Sequence, residues 1–272
     1  MNSIKKMMLS GALGCLISGM AYADGSSPQP VKPYWQDIQV VAVNKEKPRS
    51  SFMSYADRET ALTSRFEKSP YYFLLNGTWK FFFVDSYKDL PQNITDPSVN
   101  TSSWDDITVP GNWEVQGHGV AIYTNHGYEF KPRNPQPPLL PEANPVGVYR
   151  RDIEIPASWD NRDIYLHIGG AKSGLYVYLN GKEVGYSEDS KNPAEFLINK
   201  YLQPGKNVLT LKIFRWSTGS YLECQDFWRM SGIERDVFLW SQPKASIQDF
   251  RVVSTLDDTY TNGIFKLAVD LK

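Results

Sequence analysis

Between Arg215 and Val237 the chain reads RWSTGSYLECQDFWRMSGIERDV, which sets aromatic rings, carboxylates, an amide and arginines side by side. Those residue types suit a polyol ligand. Aromatic faces cover the apolar C–H faces of a pyranose, while carboxylates and amides take its hydroxyls, so Tyr221, Glu223, Gln225, Asp226, Phe227, Trp228 and Arg229 are candidate contacts. A second candidate surface comprises Val109 to Glu114 and Ile122 to Tyr128, and it runs into a Pro-, Gly- and aromatic-rich connection reaching Gly147. A connection of that length either meets a ligand or packs on a neighbouring domain, and the two are compatible.

Other chemistries have weaker support. Cys224 has no histidine near it in sequence, so it reads as a wall residue of the loop rather than a nucleophile. His118, His126 and His167 lack zinc-type spacing and read as hydrogen-bonding structural residues. No phosphate loop, GxSxG, HExxH or dinucleotide fingerprint occurs. A net charge of −1 without a basic stripe gives no footprint for nucleic acid or anionic membranes.

The elements that must position these residues are strands. Ile164, Leu166 and Ile168 alternate with Tyr165 and His167; Leu175, Val177 and Leu179 alternate with Tyr176 and Tyr178; Leu209, Leu211 and Ile213 alternate with Thr210 and Lys212. Asn180-Gly181 supplies the positive-φ pair of a type I′ hairpin turn. Many short strands near ten-residue spacing predict an all-β, antiparallel sandwich of jelly-roll type over 70–242. Residues 24–69 lack periodicity and read as an extended arm laid over that core. Residues 243–272 form a further pair of strands, read as the beginning of another domain, with edge strands of the first sandwich as the alternative.

Residues 1–23 carry two lysines, an apolar stretch from Met7 to Met20 and Ala21-Tyr22-Ala23, the pattern of a signal peptide cut after Ala23. The stretch is short for a membrane span, and Ala12-Leu13-Gly14 before Cys15 matches a lipobox poorly. The expectation is export to the periplasm or beyond, with no membrane span after cleavage. Cys224 is then the sole thiol, which leaves stability to a hydrophobic core.

The strings NGTWKF (Asn76 to Phe81), VPGNW (Val109 to Trp113), IYTN (Ile122 to Asn125), EANPVGVYRR (Glu142 to Arg151), LNGKEVGYSEDS (Leu179 to Ser190) and the Arg215 to Val237 run resemble, in order, the N-terminal sugar-binding region of glycoside hydrolase family 2 β-galactosidases. The resemblance implies a jelly-roll domain resembling galactose-binding domains, then the first strands of a truncated immunoglobulin-like sandwich. A (β/α)₈ barrel would follow, carrying both catalytic glutamates, so no catalytic residue is expected here, neither Glu223 nor Glu234.

By motif, Asn125 resembles the asparagine that contacts galactose, and Asp226 the aspartate that binds a galactose hydroxyl and a sodium ion. Sodium is the implied cofactor, with its other ligands outside this chain and magnesium possible in the whole enzyme. Implied partners are a β-galactoside, the remaining domains and further copies of the full-length chain. Thr218 stands where some relatives carry Asp, Cys224 replaces an Asp, and Glu234 replaces a hydrophobic residue, which puts any divalent site through position 218 in doubt. A freestanding carbohydrate-binding module, or a family 2 enzyme for glucuronides or mannosides, stands as the alternative.

Overall fold

The computed structural model describes residues 32–130 and 134–272. The leader at 1–23, the start of the arm and Lys131 to Arg133 lie outside the described residues. In chain order the strands are β1 (Ala42–Val43), β2 (Tyr72–Leu74), β3 (Gly77–Val84), β4 (Asp105–Val109), β5 (Gly111–Asn112), β6 (Ile122–Thr124), β7 (Val146–Glu154), β8 (Arg162–Ile168) and β9 (Ala171–Lys172). They continue as β10 (Gly174–Leu179), β11 (Lys182–Ser187), β12 (Ala194–Leu197), β13 (Lys206–Phe214), β14 (Phe227–Arg229), β15 (Gly232–Ile233), β16 (Val237–Pro243), β17 (Ile247–Leu256) and β18 (Gly263–Leu271).

Two antiparallel sheets, ordered β1-β11-β10-β13-β7-β3-β4 and β12-β8-β16-β2, enclose the main core. The all-β sandwich expected from the alternation is therefore present. Ile164, Leu166 and Ile168 of the smaller sheet meet Leu175, Val177, Leu179, Leu209, Leu211 and Ile213 of the larger one in that core. The period-2 rule sends the intervening residues to the outer faces, and these faces are also covered. Tyr176 and Phe214 lie with Trp35, Ile94 and Trp104, whereas Tyr165 lies with Met53, Phe238 and Trp240. At the β10–β11 turn Asn180 and Gly181 take φ of 53° and 76°, as a type I′ turn requires.

The segment ahead of β2 thus supplies Trp35 to one outer face and Met53 to the other. Its irregular sequence still yields β1, which pairs with β11, and a short helix α1 (Arg58–Leu62), whose first turn is capped by the Asp57 carboxylate accepting from Thr60 N at 2.8 Å. Near Met53 the arm is fastened by Arg49. Its guanidinium gives two 3.1 Å bonds to Glu195, which also accepts from Trp240 Nε1 at 3.0 Å and pairs with His167 Nδ1 at 2.8 Å.

Strands β17 and β18 form a sheet of their own and join neither sheet of the sandwich, so they are not its edge strands. Asp257 closes their turn by accepting from Thr261 N at 3.0 Å and Asn262 Nδ2 at 2.7 Å, bonds that pull its pKa well below the ordinary carboxylate range. Among the described residues no helix is long and apolar enough to cross a membrane.

Candidate functional site

The Ile122 to Tyr128 part of the second candidate surface joins the first, whereas the Val109 to Glu114 part does not: β5 pairs with β15, and Val109 and Trp113 are core residues. Strand β6 pairs antiparallel with β14 in the register Thr124–Phe227, Tyr123–Trp228 and Ile122–Arg229. Behind this ribbon Tyr221 packs edge-on against Tyr128 and Phe130, at centroid separations of 4.9 and 5.2 Å, and its hydroxyl donates to the Leu139 carbonyl. The long connection therefore folds back onto the aromatic and acidic run.

Strand parity then sorts the residues. Tyr123 and Trp228 face each other across the ribbon, 56% and 54% exposed, with ring centroids 5.6 Å apart. Asn125 lies immediately beyond Thr124 and Asp226 immediately before Phe227, so both sit at the same end of the ribbon, and both are exposed. The Tyr123 hydroxyl donates to Asp226 Oδ1 at 3.1 Å, and Asn125 Oδ1 lies 2.7 Å from His126 Nδ1. The Asp226 carboxylate raises the pKa of the Tyr123 phenol above its ordinary value. Two ring faces, an amide and a carboxylate are thus gathered on one wet surface, the combination that stacks on a pyranose and bonds its hydroxyls. Sequence reasoning held Tyr123 within the Ile122 to Tyr128 surface without singling it out. The available signal was its place two residues before Asn125, on the same side of any strand through IYTN.

The other candidates, Gln225 excepted, are at least partly buried. Phe227 lies among three cations, with Lys172 Nζ, Lys191 Nζ and Arg229 Cζ at 5.6, 5.0 and 4.7 Å from its ring centroid. Glu223 accepts from Ser190 N at 2.9 Å and Ser190 Oγ at 2.6 Å, which anchors the loop, and burial raises its pKa. Glu234 pairs with Lys191. Cys224 sits over the carbonyls of Ser220 and Tyr221, and burial pushes its thiol up, away from nucleophilic use. Gln225 is exposed.

Beneath the ribbon lies a bed of buried charge. Lys172 Nζ is 3.2 Å from Glu129 Oε1; Arg215 stands 3.9 Å from Glu129 and 3.7 Å from Glu114, whose other oxygen accepts from Ser231 N at 2.8 Å. Burial raises the Glu114 pKa, with the Ser231 N–H and the Arg215 charge opposing it. Another buried carboxylate, Glu188, accepts from Tyr186 OH, Thr218 Oγ1 and Gly219 N at 2.6, 2.7 and 2.7 Å. Thr218 thus serves as a hydroxyl donor, a role that a carboxylate at position 218 could not fill.

Asp226 accepts from Tyr123 on one oxygen, and an exposed carboxylate of this kind has the chemistry for a single contact to a hard cation such as sodium. Among the described residues no group of three or more His, Cys, Asp or Glu gathers into a metal cage. His118 packs on Phe81 and Phe83, and His167 pairs with Glu195.

Comparison with known proteins follows the same outline. Residues 73–243 match the family model described as glycosyl hydrolases family 2, sugar binding domain. The chain is 40% identical over 242 residues to a beta-galactosidase of Priestia megaterium and 38% identical over 237 residues to one of Psychromonas ingrahamii. These alignments cover 88% and 87% of this chain but 23% and 22% of the relatives, so the chain spans less than a quarter of their length. Among solved structures, a beta-glucuronidase of Ruminococcus gnavus aligns with a TM-score of 0.56 at 22% identity, covering 74% of this chain and 33% of that one. One from an uncultured Clostridium aligns at 0.54 and 23%, with the same coverage. At such identity the likeness is one of fold. The family match takes in the sandwich except β1 and the first residue of β2, together with the ribbon, and by it the chain belongs to glycosyl hydrolases family 2, whose sugar binding domain it carries.

Proposed function

We propose that this chain is the N-terminal, non-catalytic part of an exported β-galactosidase, and that the ribbon face holding Asn125, Asp226, Tyr123 and Trp228 walls one side of the galactose subsite. The carrying observation is the β6–β14 register, which brings together two motif residues far apart in sequence on one exposed aromatic surface. Asn125 would exchange hydrogen bonds with sugar hydroxyls, and Asp226 would accept one while giving an oxygen to sodium. Their work is placement of the glycosyl unit. The bond-breaking glutamates of a retaining mechanism would lie in a barrel outside this sequence.

Two further observations support the wider reading. Val252, Val253, Phe265, Leu267, Val269 and Leu271 of the β17–β18 hairpin are exposed, a surface that the remaining strands of an immunoglobulin-like sandwich would cover. The leader pattern at 1–23 supports export.

The test is titration of the ¹⁵N-labelled chain with methyl β-D-galactoside in sodium chloride. Shifts confined to Asn125, Asp226, Trp228 and their neighbours, weakened in Asp226→Ala, are expected. Shifts elsewhere, or equal response to a β-glucuronide, would contradict the reading. The chain alone should release no nitrophenol from nitrophenyl β-galactoside, and turnover would move the catalytic groups into it.

A further inference from the structure

The exposed face of the ribbon is held from below by two arginines used in the same way. Arg229, 1% exposed, projects from β14 to the side opposite Trp228 and Asp226. Its Nη1 donates to the Glu223 carbonyl at 2.9 Å and its Nη2 to the Thr124 carbonyl at 3.4 Å. One guanidinium therefore bonds the residue before Asn125 and the loop entering Asp226. Arg215, 3% exposed, repeats the pattern at the other end, where Nη2 donates to Val120 O at 2.8 Å and Arg229 O at 3.2 Å. Each fork takes one carbonyl from the β6 segment and one from the β14 segment. Three-residue strands that pair only with each other have little ladder of their own.

The two guanidiniums differ in the charge around them, and Arg229 bonds through two nitrogens where Arg215 uses one. Arg215 faces the carboxylates of Glu114 and Glu129, whereas Arg229 makes no ion pair among the described residues and spends its cation on carbonyls and on the Phe227 ring. A lysine would keep the charge but, as a compact ammonium on a flexible stem, lose the rigid planar fork.

We infer that Arg229 is a positioning residue for the sugar-facing pair: by tying the Thr124 and Glu223 carbonyls to one buried guanidinium, it fixes the separation and orientation of Asn125 and Asp226 without touching the ligand. This rests on the proposed role of those two residues, so its test needs a readout that requires no sugar. The Tyr123 side chain provides one. Its hydrogen bond to Asp226 spans the ribbon at the site end, beside the Tyr123–Trp228 ring contact at 5.6 Å.

The experiment reads nuclear Overhauser contacts between the Tyr123 and Trp228 rings across the ribbon, at neutral pH, in wild type and Arg229→Lys. Arg229→Lys is expected to lose these contacts, while methyl resonances of the sandwich core stay in place. Ring contacts unchanged in Arg229→Lys overturn the inference, even if the unfolding midpoint falls. Should Arg229→Lys fail to fold, ¹⁵N-arginine spectra of the wild type decide. Separate, slowly exchanging Nη resonances for Arg229 are expected from a bonded fork, and one averaged resonance overturns it. Methyl β-D-galactoside is then added to the same samples. No response in wild type removes the sugar reading but leaves the tyrosine result standing, whereas a response that survives intact in Arg229→Lys removes only the positioning role.

Discussion

Glu195 beneath the arm and Glu114 beneath the ribbon are both buried carboxylates beside an arginine, yet their surroundings differ in kind. Glu195 receives four donors at 2.8 to 3.1 Å, from Arg49, His167 and Trp240. Glu114 receives one, from Ser231 N, and its second oxygen faces Arg215 at 3.7 Å without a hydrogen bond. Burial lifts both pKa values, but at Glu195 the His167 bond and the Arg49 charge outweigh it and leave the pKa below the ordinary range, while at Glu114 burial prevails. A carboxylate with both oxygens hydrogen-bonded can hold an arm to a sheet. One left half-bonded is tolerated because its partners are busy elsewhere, and here Arg215 is donating to the ribbon.

The contrast can be broken most forcefully at Glu195. Glu195→Ala strands a half-buried guanidinium, a histidine and a buried indole N–H, so a loss of about 3 kcal/mol in urea unfolding at pH 7 is expected. A loss below about 1 kcal/mol would mean that the clamp does not fasten the arm. Next comes Thr218→Asp, which replaces a donor to Glu188 by a second buried carboxylate. About 1–3 kcal/mol should be lost at pH 7. The loss should shrink as pH falls and one of the pair takes a proton; a pH-independent loss would mean the new side chain turns away. Glu114→Gln is the mildest, about 1 kcal/mol or less by the same assay, because the amide oxygen still accepts from Ser231 N.

The pH dependence sharpens the same comparison. Glu195, with its pKa depressed by folding, contributes stability that is present above the unfolded glutamate value and lost as pH falls through the folded one. Glu114, Glu188 and Glu223, all raised chiefly by burial, bind their protons more tightly when folded, so stability declines as pH climbs from the unfolded value through theirs. Unfolding followed from pH 3 to 8 should therefore show a flattened acid limb in Glu195→Ala and a flattened decline toward neutrality in Glu114→Gln. Parallel curves for both variants and wild type would dissolve the distinction.

How far the sequence carried depends on distance along the chain. Alternation in β8, β10 and β13 announced the sandwich because inward and outward residues differ in size and polarity, and Asn180-Gly181 announced its turn because few residue pairs accept those angles. Asn125 and Asp226 were legible through motif resemblance. Their neighbourhood was not, since β6 and β14 are each three residues long and too short for a period to show. The Arg49–Glu195 clamp was equally hidden, because the arm's irregular sequence gives no hint of which strand it will meet. Arg229 was noticed as a polar ligand contact, and only the register revealed that it faces the opposite way.

The Tyr123 and Asp226 side chains meet across 103 positions of sequence. Four of the seven strands of the larger sheet and two of the four of the smaller lie between them. Bringing the two ends of so long a segment together carries a loop-closure entropy that two three-residue strands cannot meet unaided. The ribbon can close only after the intervening strands have already brought its ends near each other. In time, then, the ribbon face proposed to meet a sugar is expected to be a late product of folding. A chain that binds sugar there has by that act reported that its sandwich is complete.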